Sequence, residues 1–305
     1  MTSAVGIFLC TFNGERFLAE QLRSIEQQTH TEWLLAVSDD GSVDATADVV
    51  EQFRARHEER VVVAPGPRQG FAMNFMSLTA MPPIQADYWA FCDQDDWWEA
   101  DKLERAVSWL DEVPQDVPAI YCSRSFLMDS AGKMIGISPL FQSATGFGNA
   151  LVQNIASGNT MVFNERARRL LCQGSGEELV FHDWLLYLVV TGCGGRVFFD
   201  TRPSIRYRQH DENVLGAWGT WHAHWLRAKL LLGGQFAAWV DANSVGLARI
   251  ETRLMPESRA SLAIFRDMRR HSLVGRLFML RKSGAYHQSW LGNVGLIVAA
   301  ILNKL

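Results

Sequence analysis

Residues 4–14 read Ala-Val-Gly-Ile-Phe-Leu-Cys-Thr-Phe-Asn-Gly. An uncharged, apolar run without polar alternation predicts a strand covered on both faces, the habit of parallel sheets. The segments downstream of this strand decide the fold. Phe17, Leu18, Leu22 and Ile25 fall three to four apart and share one helix face. Trp33 to Val37 form a second apolar run, stopped by Asp39-Asp40-Gly41. A helix is expected over roughly 44–56, with Val49, Val50 and Phe53 inward. Val61 to Ala64 make a third strand, which Pro65-Gly66-Pro67 ends. A helix over about 71–81, a strand from Tyr88 to Cys92 and a helix from about Ala100 to Leu110 complete the series. Strand and helix thus alternate four times in the first 110 residues. That order predicts an α/β fold with a mostly parallel central sheet and helices on both faces.

The middle third is more mixed. Strands are expected at Ala119–Cys122, Met161–Phe163, Arg196–Phe199 and Ile205–Arg208, with a turn at 129–132 and a helix over 183–191. From about 217 onward the pattern is helical, broken at Gly233-Gly234 and Pro256. The expected organisation is an α/β unit over 1–216 and a helical region over 217–305.

Composition narrows the function classes. With 48% apolar and 20% charged residues in 305, the chain can bury a core and is not disordered. The five cysteines are scattered with no C-x-x-C pair, so neither a disulfide framework nor a cysteine zinc site is expected. The opening Met1-Thr2-Ser3-Ala4-Val5-Gly6-Ile7 lacks the basic and long apolar regions of a signal peptide, which points to a reducing cytoplasm.

Charge is unevenly spread. Residues 217–305 hold twelve Lys and Arg against four Asp and Glu, net +8, and five of the eleven tryptophans. Residues 1–216 carry a net −12. A basic, Trp-rich helical tail on an acidic body suits an anionic lipid surface as well as it suits solvated helix faces. The acidic body repels phosphate backbones, so no nucleic acid partner is expected. Residues 283–303 are uncharged, but Val294–Leu302 is about half the roughly 20 apolar residues that a membrane span needs. Peripheral attachment is therefore expected.

In parallel α/β sheets, ligands sit beyond the carboxyl ends of strands. The segments there are Thr11-Phe12-Asn13-Gly14, Asp39-Asp40-Gly41-Ser42 and Asp93-Gln94-Asp95-Asp96. The last places three carboxylates in four residues. They repel one another, and a hard divalent cation, Mg²⁺ or Mn²⁺, relieves that repulsion. One capping carboxylate would serve the next helix, so three exceed that need. Asp39, at a strand end, can accept the ring N–H of a pyrimidine base, although Asp-Asp-Gly is also a common turn. Asp183 lies between His182 and Trp184 near a helix start, where partial desolvation makes a carboxylate a competent base. An N-cap is the competing role. His182 reads as structural. His210, ending a strand in Tyr207-Arg208-Gln209-His210, offers imidazole to a metal, although lone histidines usually serve structure.

Residues 5–216 resemble a family 2 glycosyltransferase of the GT-A fold, and within it the rhamnosyltransferase-like enzymes of bacterial polysaccharide assembly. The matching segments are Cys10-Thr11-Phe12-Asn13-Gly14, Asp39-Asp40-Gly41-Ser42, Gly70-Phe71 with Asn74-Phe75, Asp93-Gln94-Asp95-Asp96-x-Trp98, His182-Asp183-Trp184 and Tyr207-Arg208-Gln209-His210. The resemblance implies that Thr11, Asn13 and Asp39 hold the base and ribose, with Asp40 close by, and that Gln69 and Asn74 lie along the donor. It implies a D-x-D of Asp93 and Asp95, with Asp95 and His210 as metal ligands and Asp183 as base. The family more often has Glu where His182 stands.

The expected activity is an inverting, metal-dependent transfer of a sugar, rhamnose from a thymidine diphosphate donor as first choice. The acceptor would be a glycan or a polyprenyl-diphosphate-linked glycan at the cytoplasmic face of the inner membrane. Assembly of several copies of the chain is compatible with it. Two readings compete: a sugar-phosphate nucleotidyltransferase, and a non-catalytic carbohydrate-binding protein. The first would want a Gly-rich, basic first loop, whereas this one has Gly14 and Arg16. The second sits badly with an intact Asp93, Asp95 and Asp183.

Overall fold

A computed structural model describes residues 2–209 and 233–305. Its first half is built as the alternation predicts. Strands β1 (Val5–Thr11), β2 (Trp33–Asp39), β3 (Val61–Pro65) and β4 (Tyr88–Cys92) run parallel in the order β3-β2-β1-β4. Helices α1 (Leu18–Glu26), α2 (Thr46–Arg56) and α3 (Phe71–Ala80) connect them. β1 is central and wholly buried, which explains its unbroken apolar run. Val5, Ile7 and Leu9 pack with Leu18, Leu22 and Ile25 of α1, while Phe8 and Cys10 face the opposite core with Phe75. Each fully buried aliphatic side chain contributes about 1.5–3 kcal/mol.

The second half turns the sheet partly antiparallel. β8 (Val162–Asn164) pairs antiparallel with β4 and with β6 (Ala119–Met128). β9 (Arg196–Arg208) then runs parallel to β6, and the short β5 (Trp97–Trp98) pairs antiparallel with β9. β7 (Met134–Ile137) forms a hairpin with β6 across the expected turn, where Asp129 accepts from the Ala131 and Lys133 amides.

Several features differ from the sequence expectation. The two strands expected at 196–199 and 205–208 are one, β9. Its register with β6 shifts between Ser123 and Ser125, and the residues left out of the pairing include Pro203, which has no N–H to give. A helix, α6 (Glu165–Gly174), fills a stretch with no predicted element, and the Asn164 side chain caps it by accepting from the Ala167 amide. β5 is too short for any periodicity to announce it.

Helix α4 (Lys102–Leu110) joins α1 and α2 on one face of the sheet. The other face carries α3, α5 (Phe147–Ala150), α6 and α7 (His182–Gly192). The chain ends in α8 (Gln235–Arg249), α9 (Pro256–Asp267), α10 (Leu273–Ser283) and α11 (Trp290–Ile301). α8 lies on α6 and α7. The apolar cluster runs on from Phe8, Phe91 and Leu185 to Leu247, Leu262 and Phe265. Among the described residues no helix is long and apolar enough to cross a membrane.

Candidate active site

The carboxyl ends of β1, β2 and β4 deliver Thr11, Asp39 and Asp93 to one edge, because parallel strands all point their ends the same way. Asp39 is the hub of the first loops. One oxygen accepts from the Gly41 and Ser42 amides at 3.0 and 2.8 Å. The other accepts from the Thr11 and Ser42 hydroxyls at 2.8 and 2.5 Å. Partial burial raises its pKa, but the Ser42 and Thr11 donors outweigh that and hold the carboxyl below the usual range. Gly41 takes φ +101°, a conformation that lets the turn close on Asp39.

Asn13 bridges two loops: its amide donates to the Ser42 hydroxyl and its side-chain oxygen accepts from Val43 N–H. Asp40 accepts from the amides of Arg68 and Gly70 at 2.6 and 2.8 Å, so it pins the loop that carries the exposed Gln69. Asn74 is buried on α3. Its oxygen accepts from the Ser38 hydroxyl and its N–H₂ donates to the Ser38 carbonyl. It braces the end of β2 from beneath and does not line the open edge.

The acid cluster sits beside these loops. Gln94 locks the two together: its amide group donates to the Phe12 carbonyl and accepts from the Phe12 N–H, both at 2.9 Å. A Cβ on Gly14 would lie 2.2 Å from that Gln94 oxygen, so a larger residue there would have to push the Gln94 side chain off Phe12. Asp96 is fully buried. It accepts from the Asn159 side-chain amide at 2.6 Å and from the Arg208 N–H at 3.1 Å. Burial and the charges of Asp95 and Asp93 push its pKa well up, and those donors pull it back. The Arg208 guanidinium donates to the Asp95 carbonyl and to Glu20 of α1. Asp93 is pushed up to about 7, by burial first and then by Asp95 and Asp183. Lys102, also fully buried, is lowered to about 7 by burial; its ammonium donates to the Asn159 carbonyl and lies 4.0 Å from the Trp98 ring centre.

Asp183 opens α7 and keeps part of its surface exposed, as a base must to meet an acceptor. It accepts from the Gly158 and Trp184 amides at 3.0 and 2.7 Å. Burial raises it to about 6 against those donors. A contact with its own first turn and a place beside the acid cluster therefore coexist in one residue. Gly158 and Asn159 are neighbours in a single turn, Gly158–Thr160. One of them holds Asp183 and the other holds Asp96. His182 is structural: it stacks on Phe75 at 4.2 Å and meets Phe91 edge-on at 4.5 Å. Neither ring nitrogen has a partner, and burial lowers it to about 3, so it stays neutral.

Thr11, Asn13, Asp39, Asp40 and Gln69 thus share the loops at one edge, and Asp93 and Asp183 feel each other's charge. His210 lies outside the described residues. Gln94, Ser42, Lys102 and Asn159 were not singled out from sequence. Ser42 and Gln94 did lie within the strand-end segments Asp39-Asp40-Gly41-Ser42 and Asp93-Gln94-Asp95-Asp96, while Lys102 and Asn159 had no such signal.

Among the described residues no three His, Cys, Asp or Glu side chains form a metal cage by themselves. A small hard cation held by one or two carboxylates and its substrate's phosphates needs none. The donor set fits such a cation, because Asp93 and Asp95 oppose each other in a site dense with protein.

This arrangement of the sheet and its helices is that of the GT-A glycosyltransferases. Residues 6–154 match the family described as Glycosyl transferase family 2, so the chain carries that family's domain and is a glycosyltransferase. The nucleotidyltransferase and binding-protein readings fall away. The chain is 28% identical over 221 residues to the dTDP-rhamnosyl transferase RfbG of Shigella flexneri, which covers 68% of this chain and 74% of that one. Among solved structures, S. aureus TarS 1–349 in complex with UDP-GlcNAc aligns with a TM-score of 0.51 at 14% identity, over 92% of this chain and 90% of that one. The mannosyltransferase PcManGT of Pyrobaculum calidifontis, in complex with GDP-Man and Mn²⁺, aligns at 0.53 and 17% identity, over 100% and 87%. At such identities the structures speak for the fold alone.

Proposed function

We propose that the chain is an inverting, metal-dependent glycosyltransferase that moves a sugar from a nucleoside diphosphate donor to a glycan or a polyprenyl-diphosphate-linked glycan in cell-surface polysaccharide assembly. The observation that carries the reading is the crowding of Asp93 and Asp183, ninety residues apart in sequence, into one half-buried electrostatic neighbourhood. Thr11, Asn13 and Asp39 form the base and ribose end of the site. Asp39 stays ionised there, ready to accept a ring N–H. Asp95, with Asp93, would hold a divalent cation, which when bound neutralises charge on the leaving diphosphate.

Asp183 takes the proton of the acceptor hydroxyl. The acceptor oxygen bonds to the anomeric carbon as the bond to the phosphate oxygen breaks on the opposite face, and the nucleoside diphosphate leaves. One displacement inverts the centre. A positioned base of this kind contributes about 10²–10⁴-fold. Rhamnose carried on thymidine diphosphate is the donor we favour, on the likeness to RfbG. For the acceptor we favour the cytoplasmic membrane face, a reading supported by the net +8 of residues 217–305. The test is turnover of a panel of nucleoside diphosphate sugars with and without Mn²⁺, read as nucleoside diphosphate released and as the configuration of the product. Cation-independent turnover, or retained configuration, would contradict the reading.

A further inference from the structure

Helix α11 turns an apolar side outward. Trp290, Leu291, Val294, Ile297, Val298 and Ile301 fall on one helical stripe, and all are exposed, from 38% at Val294 to 76% at Trp290. The opposite stripe, Leu296, Ala299 and Ala300, is buried in the core. A helix on a soluble protein keeps its polar face toward water, so this face is the wrong way round for solvent. Helix α10 adds exposed Leu273, Val274 and Phe278, the last at 62%. The two helices pack side by side, and an open cleft of about 390 Å³ between them is lined by Leu277, Leu280, Leu296 and Ile297 together with Arg281.

Charge says what covers this face. Arg269 and Arg270 are paired with Asp241 and Asp267, but no acidic side chain comes after Asp267, while Arg276, Arg281, Lys282 and Lys304 do. Arg281 and Lys282 stand at the end of α10, beside the apolar stripe. A second copy of the chain would bring the same cations against themselves, because a two-fold contact pairs a patch with itself. An anionic bilayer supplies both apolar depth and negative headgroups. At 12 residues α11 rises about 18 Å, short of the roughly 30 Å hydrocarbon core. It can lie in the interface but not cross it.

We infer that the α10–α11 hairpin is a lipid-binding surface that lays the enzyme on a bilayer containing anionic headgroups. The inference rests on the transferase reading only for its purpose, bringing the site to a membrane-borne acceptor.

The test sediments the full chain with vesicles of phosphatidylcholine, with and without phosphatidylglycerol, and assays each protein separately for nucleotide-sugar turnover. Binding is expected only to the anionic vesicles. Arg281→Gln with Lys282→Gln should weaken it about 30-fold, about 1 kcal/mol for each cation. Phe278→Glu with Trp290→Glu should abolish it. None of these four residues belongs to the carboxylate site, so turnover in solution should be unchanged in both variants. Equal binding to neutral vesicles, no binding at all, or binding indifferent to either variant would overturn the inference. So would a dimer in vesicle-free buffer that Phe278→Glu with Trp290→Glu splits, since the face would then serve self-association. Vesicle binding without any turnover would instead sink the transferase reading and leave this one standing.

Discussion

Replacing Asn159 with alanine tests whether the turn at 158–160 joins the two halves of the site. The Asn159 side chain donates to Asp96 at 2.6 Å, and both residues are almost fully buried. Asn159→Ala keeps the backbone carbonyl that receives Lys102, and it leaves Asp96 with the Arg208 amide. Leaving a buried acceptor short of its partner costs about 1–3 kcal/mol, and water cannot replace this donor at a buried oxygen. That is a large part of a total stability of about 5–15 kcal/mol, and for a chain of 305 residues it corresponds to a fall in Tm of ~2–5 °C. The activity effect should be selective. The adjacent Gly158 amide holds Asp183, so a loosened turn should lower kcat, while donor affinity, set on the other side by Asp39 and Asp95, should change little. Thermal unfolding and steady-state kinetics on one preparation provide the assay. An unchanged midpoint, or a loss confined to donor KM, would refute the coupling.

The remaining predictions concern titration and the base loop. Asp183, raised to about 6, must be ionised to act, so kcat/KM should rise with pH through about 6 and then level; a flat profile from pH 5 to 7 would remove it as the base. Asp93 and Asp183 bind protons more tightly folded than unfolded, where carboxyls titrate near 4. Their contribution to stability is therefore fully present at acidic pH and is lost as pH rises from about 4 through about 6 to 7; Mn²⁺ added at pH 8 should recover part of it, seen as a higher Tm. Asp39, with its lowered pKa, behaves in the opposite sense and loses its contribution only as pH falls below about 4. Ser42→Ala removes one hydroxyl donor to Asp39 and one anchor of Asn13, and should weaken nucleoside diphosphate binding by titration calorimetry about fivefold to tenfold, about 1 kcal/mol.

The first half of the fold was legible because β1, β2 and β4 are covered on both faces and the helices on one, so burial writes the element type directly into the apolar pattern. β9 was harder. Its pairing skips residues around Pro203, and a skipped stretch looks from sequence like a gap between two strands. The acid cluster and Asp183 were visible as polar residues where strands or helices end. Asp40 and Asn74 show the limit of that signal: a polar residue near a site can spend all its hydrogen bonds on the scaffold. Lys102 reads as an ordinary solvent-facing lysine at a helix start. Its burial depends on the Asn159 carbonyl and the Trp98 ring reaching it from distant segments, and no local pattern encodes that.

The central claim is a division of labour, with Asp95 serving the cation and donor and Asp183 serving the acceptor. It is tested most directly by calorimetric titration of the donor in the presence of Mn²⁺, beside turnover, for Asp95→Asn and Asp183→Asn. The account predicts that Asp95→Asn loses cation-dependent donor affinity. It predicts that Asp183→Asn binds donor as the unaltered chain does, yet turns over about 10²–10⁴-fold more slowly. Undiminished turnover by Asp183→Asn, or cation-dependent affinity intact in Asp95→Asn, would contradict it.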